Sequence, residues 1–165
     1  MADSSRATGT RAAQEYRDKR RNHWNAVARR MGDWSSNGEH YHERIGELYR
    51  FLVPAGLKVL EIGCGKGDLI ASLEPSYGVG VDFSVEMISR AQDRHPNLHF
   101  VECDAHDLCL DETFDVVILS DIVNELWDVQ SMFVQLGRVC RPDTRIIINV
   151  FSRVWELPLL ATQKL

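Results

Sequence analysis

The chain has 165 residues, of which 44% are hydrophobic, 26% charged and 8% aromatic, enough for one globular domain with a single core. It holds no 18-residue apolar run, which excludes a membrane-spanning helix, and its polar, charged start does not read as a secretory signal. The net charge of −5 is uneven: residues 1–30 carry eight Lys/Arg against three Asp/Glu, a balance of +5, which leaves −10 for the rest. A basic arm can meet nucleic acid, but the acidic body repels phosphates, so a nucleic-acid partner is not expected.

In chain order, residues 1–11 are rich in Ser, Thr, Gly and Arg and read as disordered. Residues 12–31 have helical composition, with Tyr16, Trp24, Val27 and Ala28 among the apolar set, and Gly32–Gly38 reads as a loop. A second helix is predicted from about Glu39 to Leu52, with Ile45, Leu48, Tyr49 and Leu52 at helical spacing, ended by Pro54 and Gly56. Strand and helix then alternate. Strands are predicted at Leu57–Ile62, Tyr77–Val81, Leu98–Cys103, Phe114–Ser120 and Thr144–Phe151. Helices are predicted from the glycine loop through Leu73, over Ser84–Arg94 and over Val129–Cys140, the last stopped by Arg141-Pro142. The runs VVIL and IIINV are continuously apolar, as suits strands buried on both faces of a parallel sheet. The pattern predicts an α/β, doubly wound, mostly parallel sheet.

The four cysteines at 64, 103, 109 and 140 form no C-x-x-C pair and fit no zinc template. They read as reduced thiols of a cytoplasmic protein, and no cluster demands a metal.

The first strand runs into Glu61-Ile-Gly63-Cys-Gly65-Lys-Gly67-Asp68. Glycines here let the backbone turn sharply and let a ligand approach closely. Asp68 stands where the third glycine of the dinucleotide fingerprint G-x-G-x-x-G belongs, and Gly67 where the phosphate-binding loop needs Ser or Thr. An acid at this turn is poorly placed beside a pyrophosphate and suits a ligand with a cationic end. Asp82 closes the second strand, where a carboxylate can accept both ribose hydroxyls of an adenosine. Ser84 can cap the next helix. Asp104, just past the third strand, can take the exocyclic amine of adenine. The fourth strand, Phe114–Ser120, opens onto the crevice where such sheets bind ligands.

Taken together, VLEIGCGKGDLI, GVDFSVEMI, FVECDAHDL, FDVVILSDIVNEL and LGRVCRPDTRIIINVFS, in this order and spacing, resemble the class I S-adenosylmethionine (SAM) dependent methyltransferases, in particular the small-molecule type, over about residues 40–152. The resemblance implies a Rossmann-like fold with N-terminal helices. It implies that SAM is the methyl donor and S-adenosylhomocysteine the product. Gly63 and Gly65 would line the methionyl part, with Glu61 supporting the turn. Asp82 would hold the ribose, Phe83 and Met87 would flank the adenine, Asp104 and Ala105 would read its edge, and Ser120 would lie near the transferred methyl. In some relatives the N-terminal helices form a lid, which makes Trp24 and Tyr41 pocket candidates beside their role as packing aromatics.

Methyl transfer from a sulfonium is an in-line displacement that needs alignment and a desolvated crevice above all. His106, Asp107, Asp121 and Glu125 are the candidates for a general base. None stands in a diagnostic motif: His106 reads as an exposed loop histidine, and Asp121 and Asn124 as helix caps. The family has two further strands, and here nothing supplies them after the fifth, so a fragment of a longer protein is expected.

The predicted organisation is a basic arm and lid-like helix over 1–38, a SAM-binding domain over 39–152 and an incomplete connector over 153–165. The expected function is methyl transfer from SAM to a small-molecule acceptor. A catalytically incomplete SAM-binding module is the alternative. An NAD-dependent oxidoreductase is disfavoured by the glycine spacing and Glu61, and an amino-methylating DNA enzyme by the lack of an N-P-P-Y type motif after the fourth strand. An uncovered sheet edge would favour pairing with a second copy.

Overall fold

The computed structural model describes residues 2–30 and 39–150. The predicted loop at 32–38, the last residue of the fifth strand, Phe151, and the connector at 153–165 lie outside the described residues. In chain order the elements are α1 (Ala2–Arg30), α2 (Glu39–Leu52), β1 (Lys58–Ile62), α3 (Asp68–Ser72), β2 (Tyr77–Asp82), α4 (Val85–Arg94), β3 (His99–Glu102), β4 (Phe114–Ser120), a single 3-10 turn (Val123–Glu125), α5 (Val129–Val139) and β5 (Cys140–Asn149).

The five strands form one sheet in the order β3-β2-β1-β4-β5, and every neighbouring pair is parallel. Side chains alternate across the sheet, so the two faces can be read from β1 and β4. Leu60, Ile62, Val117 and Leu119 join one core with Met132 and Leu136 of α5. Val59, Val116 and Ile118 join the other with Tyr49 of α2, Ile70 of α3 and Ile88 of α4. Both faces of the central strands are therefore covered, which is why their sequences are continuously apolar. Of the polar residues in β1 and β4, Glu61 alone is buried.

Local chemistry sets the helix starts. Ser84 stands just before α4 and accepts a hydrogen bond from the Met87 backbone N–H at 3.2 Å. Asp128 does the same for α5 through the Ser131 N–H at 2.9 Å.

Two expectations are corrected. The first helix extends back to Ala2 and takes in the segment read as disordered; once the following turns are helical, each added residue brings one more backbone hydrogen bond. The fifth strand begins at Cys140, before Arg141-Pro142. Its register jumps from Phe114–Cys140 to Val116–Arg145, so residues 141–144 loop out. The Thr144 hydroxyl ties that loop, accepting from the Arg141 N–H at 2.8 Å and donating to the Phe114 carbonyl at 2.6 Å. A proline is tolerated in such an irregularity because no ladder hydrogen bond is asked of it.

The expectation that IIINV is buried on both faces holds on one side only. Ile147 packs against the second core. Ile146 and Ile148 are each 42% exposed on the other face. Leu119→Ala, at a fully buried site, is expected to lower the unfolding free energy by about 2–5 kcal/mol. Ile148→Ala is expected to lower it by about 1 kcal/mol or less. Urea denaturation of the two variants checks the contrast.

Candidate functional site

β2 and β3 lie on one side of β1, and β4 and β5 on the other. The connections leaving β1 and β4 therefore diverge and open a crevice outside the carboxyl ends of the strands. A cleft of about 1460 Å³ occupies this place, large against the ~300–1,000 Å³ usual for ligand sites. All nine residues singled out from the sequence, Glu61, Gly63, Gly65, Asp82, Phe83, Met87, Asp104, Ala105 and Ser120, lie on its wall.

The turn after β1 forms the floor. Gly63 has φ +76°, and a Cβ there would stand 2.6 Å from Ile122 Cδ1. Gly65, at φ +53°, faces open space, so backbone is what a ligand meets there. Two carboxylates hold this turn from below. Glu61 is buried, and its Oε2 accepts from the Ile70 N–H at 3.1 Å. Burial pushes its carboxyl up to about 8; the Ile70 amide pulls the other way, and the charges of Asp82 and Asp68 push further up. Asp82 is also buried. Its Oδ2 accepts from the Gly65 N–H at 3.0 Å and its Oδ1 from the Ser84 N–H at 2.9 Å. Burial raises its carboxyl as well, against the pull of these amides and that of Phe83. Among the described residues no cation pairs with either acid. A carboxylate has about four lone-pair sites, so each Asp82 oxygen can still accept a further donor.

Phe83, Met87 and Ala105 supply apolar wall, with Met87 and Ala105 buried. Asp104 Oδ1 accepts from the His106 backbone N–H at 2.9 Å and lies 2.8 Å from its Nδ1. Burial opposes ionisation of Asp104, but the His106 contacts and the charges of His106 and Arg17 outweigh it and hold the carboxyl below its ordinary range. His106 is thus not the exposed loop histidine expected. Its side chain is 12% exposed, and its Nε2 lies 3.3 Å from the Asp128 N–H at the start of α5.

Asp121 does not cap a helix. It has φ +56°, in a region sparsely populated by residues other than glycine and costly to hold. Its carboxylate accepts from the Tyr41 hydroxyl at 2.7 Å and from Asn149 Nδ2 at 2.8 Å. Tyr49 donates to Asn149 Oδ1 at 2.6 Å and completes this polar network at the ends of β4 and β5. Of the pocket candidates, Trp24 lies on the cleft wall, whereas Tyr41 acts through Asp121. Of the other candidate bases, Glu125 lies on the wall paired with Arg20, and Asp107 is exposed away from it.

Sequence reasoning missed the inner face of α1. Arg17 lies 3.7 Å from Asp104 Oδ2, Arg21 Nε donates to the Phe83 carbonyl at 3.2 Å, and the Ser84 hydroxyl donates to Asn25 Oδ1 at 2.6 Å. The signal was present as the spacing of Arg17, Arg20, Arg21 and Asn25 on one helical face.

A family description reading "Methyltransferase domain" matches residues 59–143, just over half of the chain. The chain belongs to this methyltransferase domain family. It is 33% identical over 118 residues to a phosphatidylethanolamine N-methyltransferase of Cereibacter sphaeroides, covering 66% of this chain and 58% of the relative. It is 28% identical over 147 residues to a 2-phytyl-1,4-naphtoquinone methyltransferase of Nostoc punctiforme, covering 82% and 64%. The chain therefore spans about three fifths of the length of these curated relatives. Among solved structures it resembles the PH0226 protein of Pyrococcus horikoshii, with TM-score 0.64 and 31% identity over 78% of this chain and 62% of that one.

The raised Glu61 carboxyl makes a pH prediction. Its folded value of about 8 lies above the ordinary 4.5. Protonation at this site therefore favours the fold, and the contribution is fully present below 4.5 and lost as pH rises through 8. Glu61→Gln, which keeps an acceptor for the Ile70 N–H, has no proton to lose. The melting temperature of the variant relative to the parent should climb between pH 4.5 and 8 and level off above; a flat difference across that window would refute the assignment.

Proposed function

We propose that the chain binds S-adenosylmethionine and carries out methyl transfer to a small-molecule acceptor. One observation carries this reading above the rest: a glycine turn held by two buried carboxylates, Glu61 and Asp82, that no described cation neutralises. Such a pair suits a ligand that brings both hydroxyl donors and a positive end. When bound, SAM supplies a methyl group on a sulfonium, activated for in-line displacement.

The chain's own residues then have distinct tasks. Gly63 and Gly65 admit the methionyl part against bare backbone. Glu61 lies beneath it, where a positive end would pull its raised carboxyl back toward ionisation. Asp82, with lone pairs to spare, accepts the ribose hydroxyls. Phe83 and Met87 flank the adenine, and Asp104 with Ala105 reads its edge. Ser120 borders the end where the methyl leaves, and the network of Asp121, Tyr41, Asn149 and Tyr49 stands beside it to orient an acceptor. α1 lies over the cleft as a lid and excludes water.

A small acceptor is supported by the relatives' names, one a phosphatidylethanolamine methyltransferase and the other a naphtoquinone one. The acidic body argues against nucleic acid as substrate. The free thiols of Cys64, Cys103, Cys109 and Cys140 suit the cytoplasm. Among the described residues no helix is long and apolar enough to cross a membrane.

The outer edge of β5 has no partner strand among the described residues, which favours pairing with a second copy of the chain. Light scattering should show mass rising toward a dimer with concentration. A monodisperse monomer throughout would exclude it.

Calorimetric titration of S-adenosylhomocysteine tests the cofactor site. The chain should bind, and Asp82→Asn should bind about tenfold more weakly or worse through loss of charge-assisted hydrogen bonds. Circular dichroism confirms that the variant is folded. No heat with a folded parent chain would overturn the reading.

A further inference from the structure

Two thiols stand on the loop that follows β3. Cys103 is buried and lines the cleft, whereas Cys109 is exposed. The loop between them wraps around the Cys103 sulfur: the Cys109 backbone N–H donates to it at 3.0 Å. The sulfur in turn lies 3.5 Å from the Asp107 carbonyl and 3.8 Å from that of Asp104. The Cys109 Cα is one covalent bond beyond an atom that touches the sulfur, so it lies within about 4.5 Å of it. A Cys side chain starting there has the Cys103 sulfur within its reach. The two thiols already sense one another. Burial pushes Cys103 up to about 12, and contact with the Cys109 thiol adds to it.

We propose that Cys103 and Cys109 are a reversible redox site, and that closing the disulfide weakens binding in the adjoining cleft. The second clause rests on the nucleoside reading of Asp104 and Ala105; the first does not. The oxidant is a peroxide. The Cys109 thiolate, exposed to solvent, attacks one peroxide oxygen; the O–O bond breaks, hydroxide leaves, and Cys109 becomes a sulfenic acid. The Cys103 sulfur then attacks the Cys109 sulfur. The S–O bond breaks, and the departing hydroxide takes the Cys103 proton as water. Two thiols have lost two electrons and hydrogen peroxide has become two waters. A dithiol reductant reverses the bond by thiol–disulfide exchange.

The link to the cleft is covalent. The closed ring contains Asp104, Ala105 and His106, between the two cysteines. Asp104 is braced by His106, and His106 by the Asp128 N–H at the start of α5. Once bonded to Cys109, the Cys103 sulfur has no proton to donate to the Asp104 and Asp107 carbonyls, so the braced stretch loses two of its ties.

The test treats the whole chain with hydrogen peroxide and blocks remaining thiols. The protein is then digested without reduction for mass spectrometry and titrated in parallel with S-adenosylhomocysteine. A Cys103–Cys109 linkage lighter by two hydrogens is expected. With it should come an affinity lower by about fivefold or more, restored by dithiothreitol. Cys109→Ser should bind like the reduced parent and be indifferent to peroxide. Peroxide that leaves only higher oxides on Cys109, or that links other cysteines, overturns the redox site. A disulfide formed with unchanged affinity overturns the coupling. If the reduced chain binds no S-adenosylhomocysteine, the cofactor reading fails while the linkage is still read by mass.

Discussion

Two carboxylates, Glu61 and Asp82, lie buried under the turn that leaves β1, and the shape of the cleft depends on them. Glu61 ties the end of β1 to α3 through the Ile70 amide. Asp82 ties the glycine turn to the start of α4 through the Gly65 and Ser84 amides. These bonds fix the floor of the cleft, yet they offset only part of what it costs to take charge out of water. Both carboxyls are correspondingly raised. The protein stores this unfavourable field where a ligand can relieve it. A molecule that brings positive charge and hydroxyl donors to this floor stabilises the ionised acids and is bound more tightly for doing so.

The sheet order explains why that place lies between β1 and β4. Their connections separate at the point where the winding reverses, and no side chain from the sheet itself can fill the gap. α1 and the turn at Val123–Glu125 close it from above. The Tyr16 hydroxyl donates to the Glu125 carbonyl at 3.3 Å, and its ring packs 5.4 Å from that of Trp127. The cleft is thus roofed by α1 and by the stretch between β4 and α5, and floored by the turn after β1.

What could be read in the sequence was what depends on near neighbours. The strands β1 and β4 and the helix α5 show their burial in their own apolar periods. Glu61, the glycines and Asp82 stand at spacings set by one strand, one turn and the next strand. What could not be read depends on distant partners. The burial of His106 comes from Asp128, 22 residues on. The strained backbone of Asp121 is held by Tyr41, 80 residues earlier, and by Asn149, 28 later. The exposure of Ile146 and Ile148 depends on what lies against the outer strand, and no pattern within IIINV records that.

The basic arm is the clearest case of a charge whose meaning lies elsewhere in the chain. Counted alone, its surplus reads as solvated terminus. In the fold, Arg17 faces Asp104 and Arg20 faces Glu125, so the arm adds positive charge beside two acids on the cleft wall. Along the inner face of α1 only Ala28 is fully buried among the described residues; Tyr16 packs on Trp127, and Arg17, Arg21 and Asn25 add polar ties. In the proposed reading Asp104 meets both Arg17 and an adenine amine. A ligand there shares Asp104 with Arg17 and His106, which ties the adenine edge of the cleft to α1 and to the start of α5 through one carboxylate.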